Sequence, residues 1–250
     1  MSQDSCFVRP EDQWSQKHGC MKSVLGEQQV YFRAKHAQYG DDPRSVSWND
    51  RESQFLRFRI LSELFRYEQD EFTVHEVGCG LGHFGEFAAE EGLRCRYMGS
   101  DISPEFVAVC QAKFGRDRFV IQDIAASLDT FDPAVKGCDF YVQSGAFNAI
   151  GGASLAEWEL FVDTAVENMF AMCGKGIGFN MLSTYSDPEM RNPGLYYADP
   201  RAIYDRCKRL SRFVTMISDG PLYEFTVLVY RKEYVKILYP SAEFGKYFVR

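Results

Sequence analysis

From residue 72 onward, apolar runs of strand length alternate with segments in which apolar positions recur at the helical period. Residues 72–77, 94–100, 118–121, 138–142 and 176–182 read as strands. Between them lie helical patterns over about 83–91, over 103–114 with Ser103 as cap and Pro104 in the first turn, and over 153–172. In the last of these Leu155, Trp158, Val162, Ala165 and Met169 form one stripe, and Gly174 ends the helix. A polar and aromatic stretch, 183–199, then separates the fifth strand from a helix over 200–210. Loops of that length in a compact domain are usually functional. Two strands close the pattern, 213–217 and 224–230, joined through Asp219, Gly220 and Pro221. Such alternation predicts an α/β fold, a doubly wound, mainly parallel seven-stranded sheet with a C-terminal antiparallel strand pair. Ligands of such sheets bind beyond the carboxyl ends of the strands.

Ahead of the first strand, residues 1–24 have no clear period and read as a lead or flap, and 24–39 are weakly helical up to Gly40. Residues 1–50 are therefore expected to form a helical lid on a domain spanning 51–250. The helix over 51–67, capped by Asn49 or Asp50, carries Phe55, Phe58, Ile60, Leu61, Leu64 and Phe65 on one arc and Glu52, Arg59, Glu63 and Arg66 opposite. Gln54 and Arg57 fall inside the apolar arc. An unpaired buried guanidinium is costly, so Arg57 needs an anionic partner, either a protein carboxylate or a bound anion.

Composition narrows the function classes. A net charge of −7 argues against general affinity for nucleic acids. The cluster Arg206, Lys208, Arg209 and Arg212 sits where a helix ends, and cations there are favoured by the helix dipole. The eight cysteines lack the close pairs of zinc or redox motifs, so no metal site is expected. With no apolar signal core and no run near the ~18–20 residues that span a bilayer, the protein is expected to be soluble, cytoplasmic and unattached to membranes.

The candidate chemistry centres on the turn after the first strand. Gly78, Gly80 and Gly82 occupy every second position, which lets backbone approach a ligand, and the following helix offers free N–H groups. Asp101 follows at the spacing expected of an acid that accepts ribose hydroxyls. Glu76 and Asp123, at the ends of the first and third strands, suit a ligand with an ammonium group and an adenine. The run Gly80 to Gly85 also satisfies a dinucleotide pattern, so a nicotinamide-dependent oxidoreductase is the competing interpretation.

EVGCGLG with Asp101, Asp123 and the terminal antiparallel pair resembles the class I S-adenosylmethionine-dependent methyltransferases over residues 50–231. The resemblance implies methyl transfer from S-adenosylmethionine, with S-adenosylhomocysteine as product, to O, N or C of a small-molecule acceptor. A binding protein without catalysis would share the same cofactor residues. By the resemblance Gly78, Cys79 and Gly80 contact the methionine and ribose part, Asp101 the ribose hydroxyls, Asp123 with Ile124 the adenine, and the Ser144 region the ammonium, with Glu76, Gly82, Ile102 and Gly145 as further cofactor contacts. Arg57, with Gln54, becomes a candidate for the cofactor carboxylate. His36 is the preferred base, since a flap over the acceptor calls for a group titrating near pH 7, with Tyr39 and Glu224 as further candidates. Trp48, Asn148, Tyr185, Tyr196 and Tyr197 are the expected acceptor contacts. His75 is expected to be structural, and His83 to touch the cofactor or pack. The run SGAFN after the fourth strand lacks the Pro-Pro signature of base-methylating relatives, which disfavours a nucleic-acid substrate.

Overall fold

The computed structural model describes residues 10–248, with side chains placed from Val24 on. Cys6 and the start of the expected lid lie outside that range. The strands run β1 (Phe72–Val77), β2 (Cys95–Asp101), β3 (Phe119–Ile121), β4 (Phe140–Ser144), β5 (Gly176–Leu182), β6 (Val214–Ile217) and β7 (Glu224–Tyr230). They form one sheet in the order β3-β2-β1-β4-β5-β7-β6. β1 to β5 are parallel, while β7 inserts antiparallel between β5 and β6. The order reverses between β1 and β4, so a crevice opens at the carboxyl ends of those two strands.

The helices are α1 (Pro10–Tyr39), α2 (Arg51–Leu61), α3 (His83–Glu90), α4 (Pro104–Phe114), α5 (Leu155–Met172), α6 (Pro200–Leu210) and α7 (Lys232–Leu238). Their starts follow from local chemistry. Asp50 and Ser103 accept from the backbone N–H of Ser53 and Phe106, and Ser154 with Glu157 makes a capping box on α5. Two apolar layers cover the sheet. One is built on Trp158, Val162 and Met169 of α5 against Tyr141, Ile177, Phe179 and Val227. The other sets Phe58, Leu61 and Leu64 with Phe84 and Phe87 against Val74, Phe140, Val142 and Leu228. The predicted helix over 51–67 ends its α-turns at Leu61 and tightens into a 3-10 turn, Ser62–Phe65.

Two elements depart from the sequence expectation. α1 extends back to Pro10, although its apolar period is weak, and its stretch Leu25 to Phe32 lines the cleft described below. The tail folds into α7, whose Tyr234 donates to Glu68 and sets its ring against Phe140. Among the described residues no helix is long and apolar enough to cross a membrane.

Candidate functional site

The glycine turn forms because β1 must reverse into α3 over the end of β2. Gly78 and Cys79 both donate to the Ser100 carbonyl, which ties the turn to β2. Gly80 adopts φ 51°, and a Cβ there would lie 2.9 Å from Val46 Cγ1, so only glycine fits between the turn and the loop above it. Gly82 caps α3 and packs on Phe114 and Cys110, away from the cleft, which corrects its assignment as a cofactor contact.

Asp101 is buried and fully oriented by backbone. Its Oδ2 accepts from Gly80 N at 2.9 Å and its Oδ1 from Ser103 N at 2.8 Å. Each oxygen keeps a lone pair for a further donor. Burial raises its pKa, and these backbone donors oppose the rise. Glu76, 4% exposed, receives the Tyr97 hydroxyl on Oε2, and burial pushes its carboxyl up to about 8. His75, on the same strand, contacts Ser100 Oγ at 2.9 Å, and burial lowers its pKa to about 3, consistent with the structural role expected of it.

Asp101 and Glu76 open into a cleft of about 1040 Å³, part of it continuous with solvent. The turn with Glu76, Gly78, Cys79 and Gly80 lies at its centre, with Asp101, Ile102, Asp123 and Ile124 on the β2–β3 side and Ser144 and Gly145 on the β4 side. Leu25, Gln28, Gln29 and Phe32 of α1, with Val46 and Trp48 of the following loop, close it from above. Gln28 donates to the Ala149 carbonyl on one rim and Gln29 to the Ile102 carbonyl on the other. Arg33 pairs with Glu105 at 2.7 Å, and Asp41 with Lys113 at 2.8 Å, so the roof is pinned at both margins.

A cleft with two buried acids, a glycine cradle and a roof that mixes Leu25, Phe32 and Trp48 with Gln28 and Gln29 suits a nucleoside carrying positive charge. A family described as "Methyltransferase domain" matches residues 74–159. A Mycobacterium tuberculosis protein (strain ATCC 25618 / H37Rv), named "Putative methyltransferase Rv1506c", is 34% identical over 161 residues, covering 64% of this chain and 93% of that protein. The chain belongs to the methyltransferase family. That membership sets aside the oxidoreductase interpretation.

Solved structures agree at the level of fold. The plantazolicin methyltransferase BpumL, in complex with SAH, matches with a TM-score of 0.55 at 12% identity, over 85% of this methyltransferase and 99% of that chain. A SAM-dependent methyltransferase from Archaeoglobus fulgidus gives 0.50 at 16% identity, over 72% and 94%. The [4+2]-cyclase SpnF also gives 0.50, at 15% identity, over 69% and 61%. The fold alone therefore does not fix the chemistry.

Several residues expected at the site stand elsewhere in this methyltransferase. Arg57 does not line the cleft: its Nε meets Glu224 Oε2 at 2.8 Å, its Nη1 donates to Ser53 O, and its guanidinium stacks 4.2 Å from the Trp48 ring. The protein carboxylate is thus its partner, and Glu224, whose pKa burial raises against the pull of Arg57, is engaged rather than poised as a base. His36 sets its ring edge-on against Phe106, and Tyr39 lies under Arg44. Neither lines the cleft. Tyr185 is 69% exposed, whereas Tyr196 is buried, its hydroxyl 3.4 Å from Glu159. Tyr197 accepts from Asn192 N, and Asn148 accepts from Leu182 N, so both serve the local folding of loop ends. Trp48 does reach the cleft, its indole covering Gly145 so closely that a Cβ there would lie 2.4 Å from it.

Other participants were not anticipated. The roof glutamines, Phe106 and Tyr97 carry no motif, and Gln28-Gln29 was the one visible signal, two adjacent amides in a weakly apolar helix. Cys79 and Cys110 also come together, Sγ to Sγ 3.8 Å, as buried free thiols. The cationic helix end is partly tied down, Arg206 pairing with Asp163 and Glu159. Among the described residues no group of three or more His, Cys, Asp or Glu is arranged to hold a metal.

Proposed function

We propose that this methyltransferase uses S-adenosylmethionine to methylate O, N or C of a small-molecule acceptor, releasing S-adenosylhomocysteine. The observation that carries the reading is Asp101, buried, held by two backbone donors beside the glycine turn, and still able to accept two hydroxyls. When bound, the cofactor supplies a methyl on a positively charged sulfur. The chain's own residues bind and orient it: Asp101 for the ribose, Asp123 and Ile124 for the adenine, Gly78 to Gly80 with Glu76 for the methionine end, and Ser144 and Gly145 on the β4 side. Gly80 leaves a cradle that any side chain would fill, and Glu76 provides a carboxyl whose ionisation a cationic ligand would favour.

Methyl displacement asks chiefly for alignment and exclusion of water. α1 and the loop to Trp48 supply both, acting as a lid over the domain 51–250. A net charge of −7 and a roofed cleft favour a small acceptor over nucleic acid, and a cytoplasmic setting fits the composition. Calorimetric titration with S-adenosylmethionine, S-adenosylhomocysteine and NADH tests the reading. Binding of the first two without the third supports it, and Asp101→Ala should weaken that binding by roughly tenfold or more, the loss of charge-assisted hydrogen bonds. Unchanged affinity in Asp101→Ala, or binding of NADH alone, would remove it.

A further inference from the structure

Gln54 is 2% exposed, lines the cleft from α2, and is oriented by its neighbour. Its Nε2 lies 3.1 Å from His83 Nδ1, and His83 Nε2 lies 3.3 Å from Asp41 Oδ1 on the roof loop. An amide N–H facing Nδ1 requires that nitrogen to be the acceptor, which puts the imidazole proton on Nε2, where it donates to Asp41. Turning the amide over would place a carbonyl on Nδ1. The ring would then have to move its proton and face the Asp41 carboxylate with a lone pair, or become an imidazolium. Burial disfavours the imidazolium, and so does Lys113, whose ammonium shares Asp41; Glu86 and Asp41 pull the other way without prevailing.

The amide orientation therefore leaves Gln54 Oε1 as the outlying atom, buried and with no protein donor. Glu76, Gly78, Cys79 and Gly80 line the same cleft. That is the methionine end under the reading above, on which this inference rests, and the strong donor the cofactor brings there is its ammonium. We propose that Gln54 couples cofactor binding to closure of the roof: Oε1 accepts the ammonium, and the amide so fixed holds His83 in the tautomer that fastens Asp41. Gln54 is thus a binding residue whose far side is a latch. Coupling of this kind is reciprocal, so an ammonium-bearing ligand favours the closed roof and the closed roof favours that ligand.

The test titrates the full chain and its Gln54→Ala variant with three nucleosides by calorimetry. S-adenosylhomocysteine carries ammonium and carboxylate, 5′-methylthioadenosine neither, and S-adenosyl-3-thiopropylamine the ammonium alone. Gln54→Ala should lose about tenfold or more in affinity for the first and third, and stay within about twofold for 5′-methylthioadenosine. Hydrogen exchange over residues 41–48 should slow in wild type with the two ammonium ligands only, and lose that ligand response in Gln54→Ala and in His83→Phe. Gln54→Met, close in volume, serves as the second variant should the alanine protein unfold. Equal losses for all three ligands would make Gln54 merely structural, and no loss for any would leave Oε1 without a role; either overturns the proposal while wild-type binding upholds the cofactor reading. Wild-type protein that binds none of the three overturns both.

Discussion

Glu76 makes the cofactor-free protein less stable as pH rises from about 4.5 to about 8. Its carboxyl is buried and titrates at about 8, against 4.5 for an ordinary glutamate. The folded state thus holds a proton that the unfolded chain releases above pH 4.5, and stability falls as pH climbs from there to about 8. Each pH unit in the window costs about 1.4 kcal/mol, so roughly 4 kcal/mol separates pH 5 from pH 8. Glu76→Gln removes the titration while its amide oxygen can still accept the Tyr97 hydroxyl. His75 acts in the opposite sense below pH 6.5, since its folded pKa is depressed to about 3, but it is present in both proteins and cancels in their difference. Urea unfolding of both proteins at pH 5, 6, 7 and 8, freed of ligand, should therefore show the Glu76→Gln variant gaining on the wild type by about 1.4 kcal/mol per unit. Under the proposed function the same variant should also bind S-adenosylhomocysteine more weakly, because it has no carboxylate to meet the ligand's ammonium. A stability difference that does not change with pH would refute the reasoning.

Arg57→Met should cost about 3–5 kcal/mol in urea unfolding at pH 7, because Glu224 is left buried without its cation. Arg57→Met combined with Glu224→Met should recover most of that loss, whereas equal costs for the single and double variants would mean the pair is not what holds the site. Tyr185→Ala, at a 69% exposed position, should change stability by less than about 0.5 kcal/mol and leave S-adenosylhomocysteine affinity unaltered by calorimetry. A clear loss of affinity there would return the loop to the cleft.

What could be read from the sequence was whatever is set by near neighbours or by the sheet's alternation. β1, β5, α6 and β7 begin and end where period, cap and glycine signals put them, because those signals act over a few residues. The cleft wall was equally legible: in a parallel sheet the residues that follow each strand meet at one edge, so Glu76, Asp101, Asp123 and Ser144 converge whatever the packing around them. Partners across the chain were not legible. The need of Arg57 for an anion was plain, yet the anion stands 167 positions away on β7, and nothing local to either residue announces the other. His36 was favoured for its chemistry alone. Its distance from the reacting end depends on how α1 crosses the cleft, and that crossing is fixed by Gln28, Gln29 and Arg33 gripping the rims. Helix-period reading weights apolar faces, but here the informative side of α1 is polar, so the element that encloses the site had the faintest pattern in the chain. The general consequence is that a lid declares itself by the hydrogen bonds it makes to strand ends, which become visible only when the strands are in place.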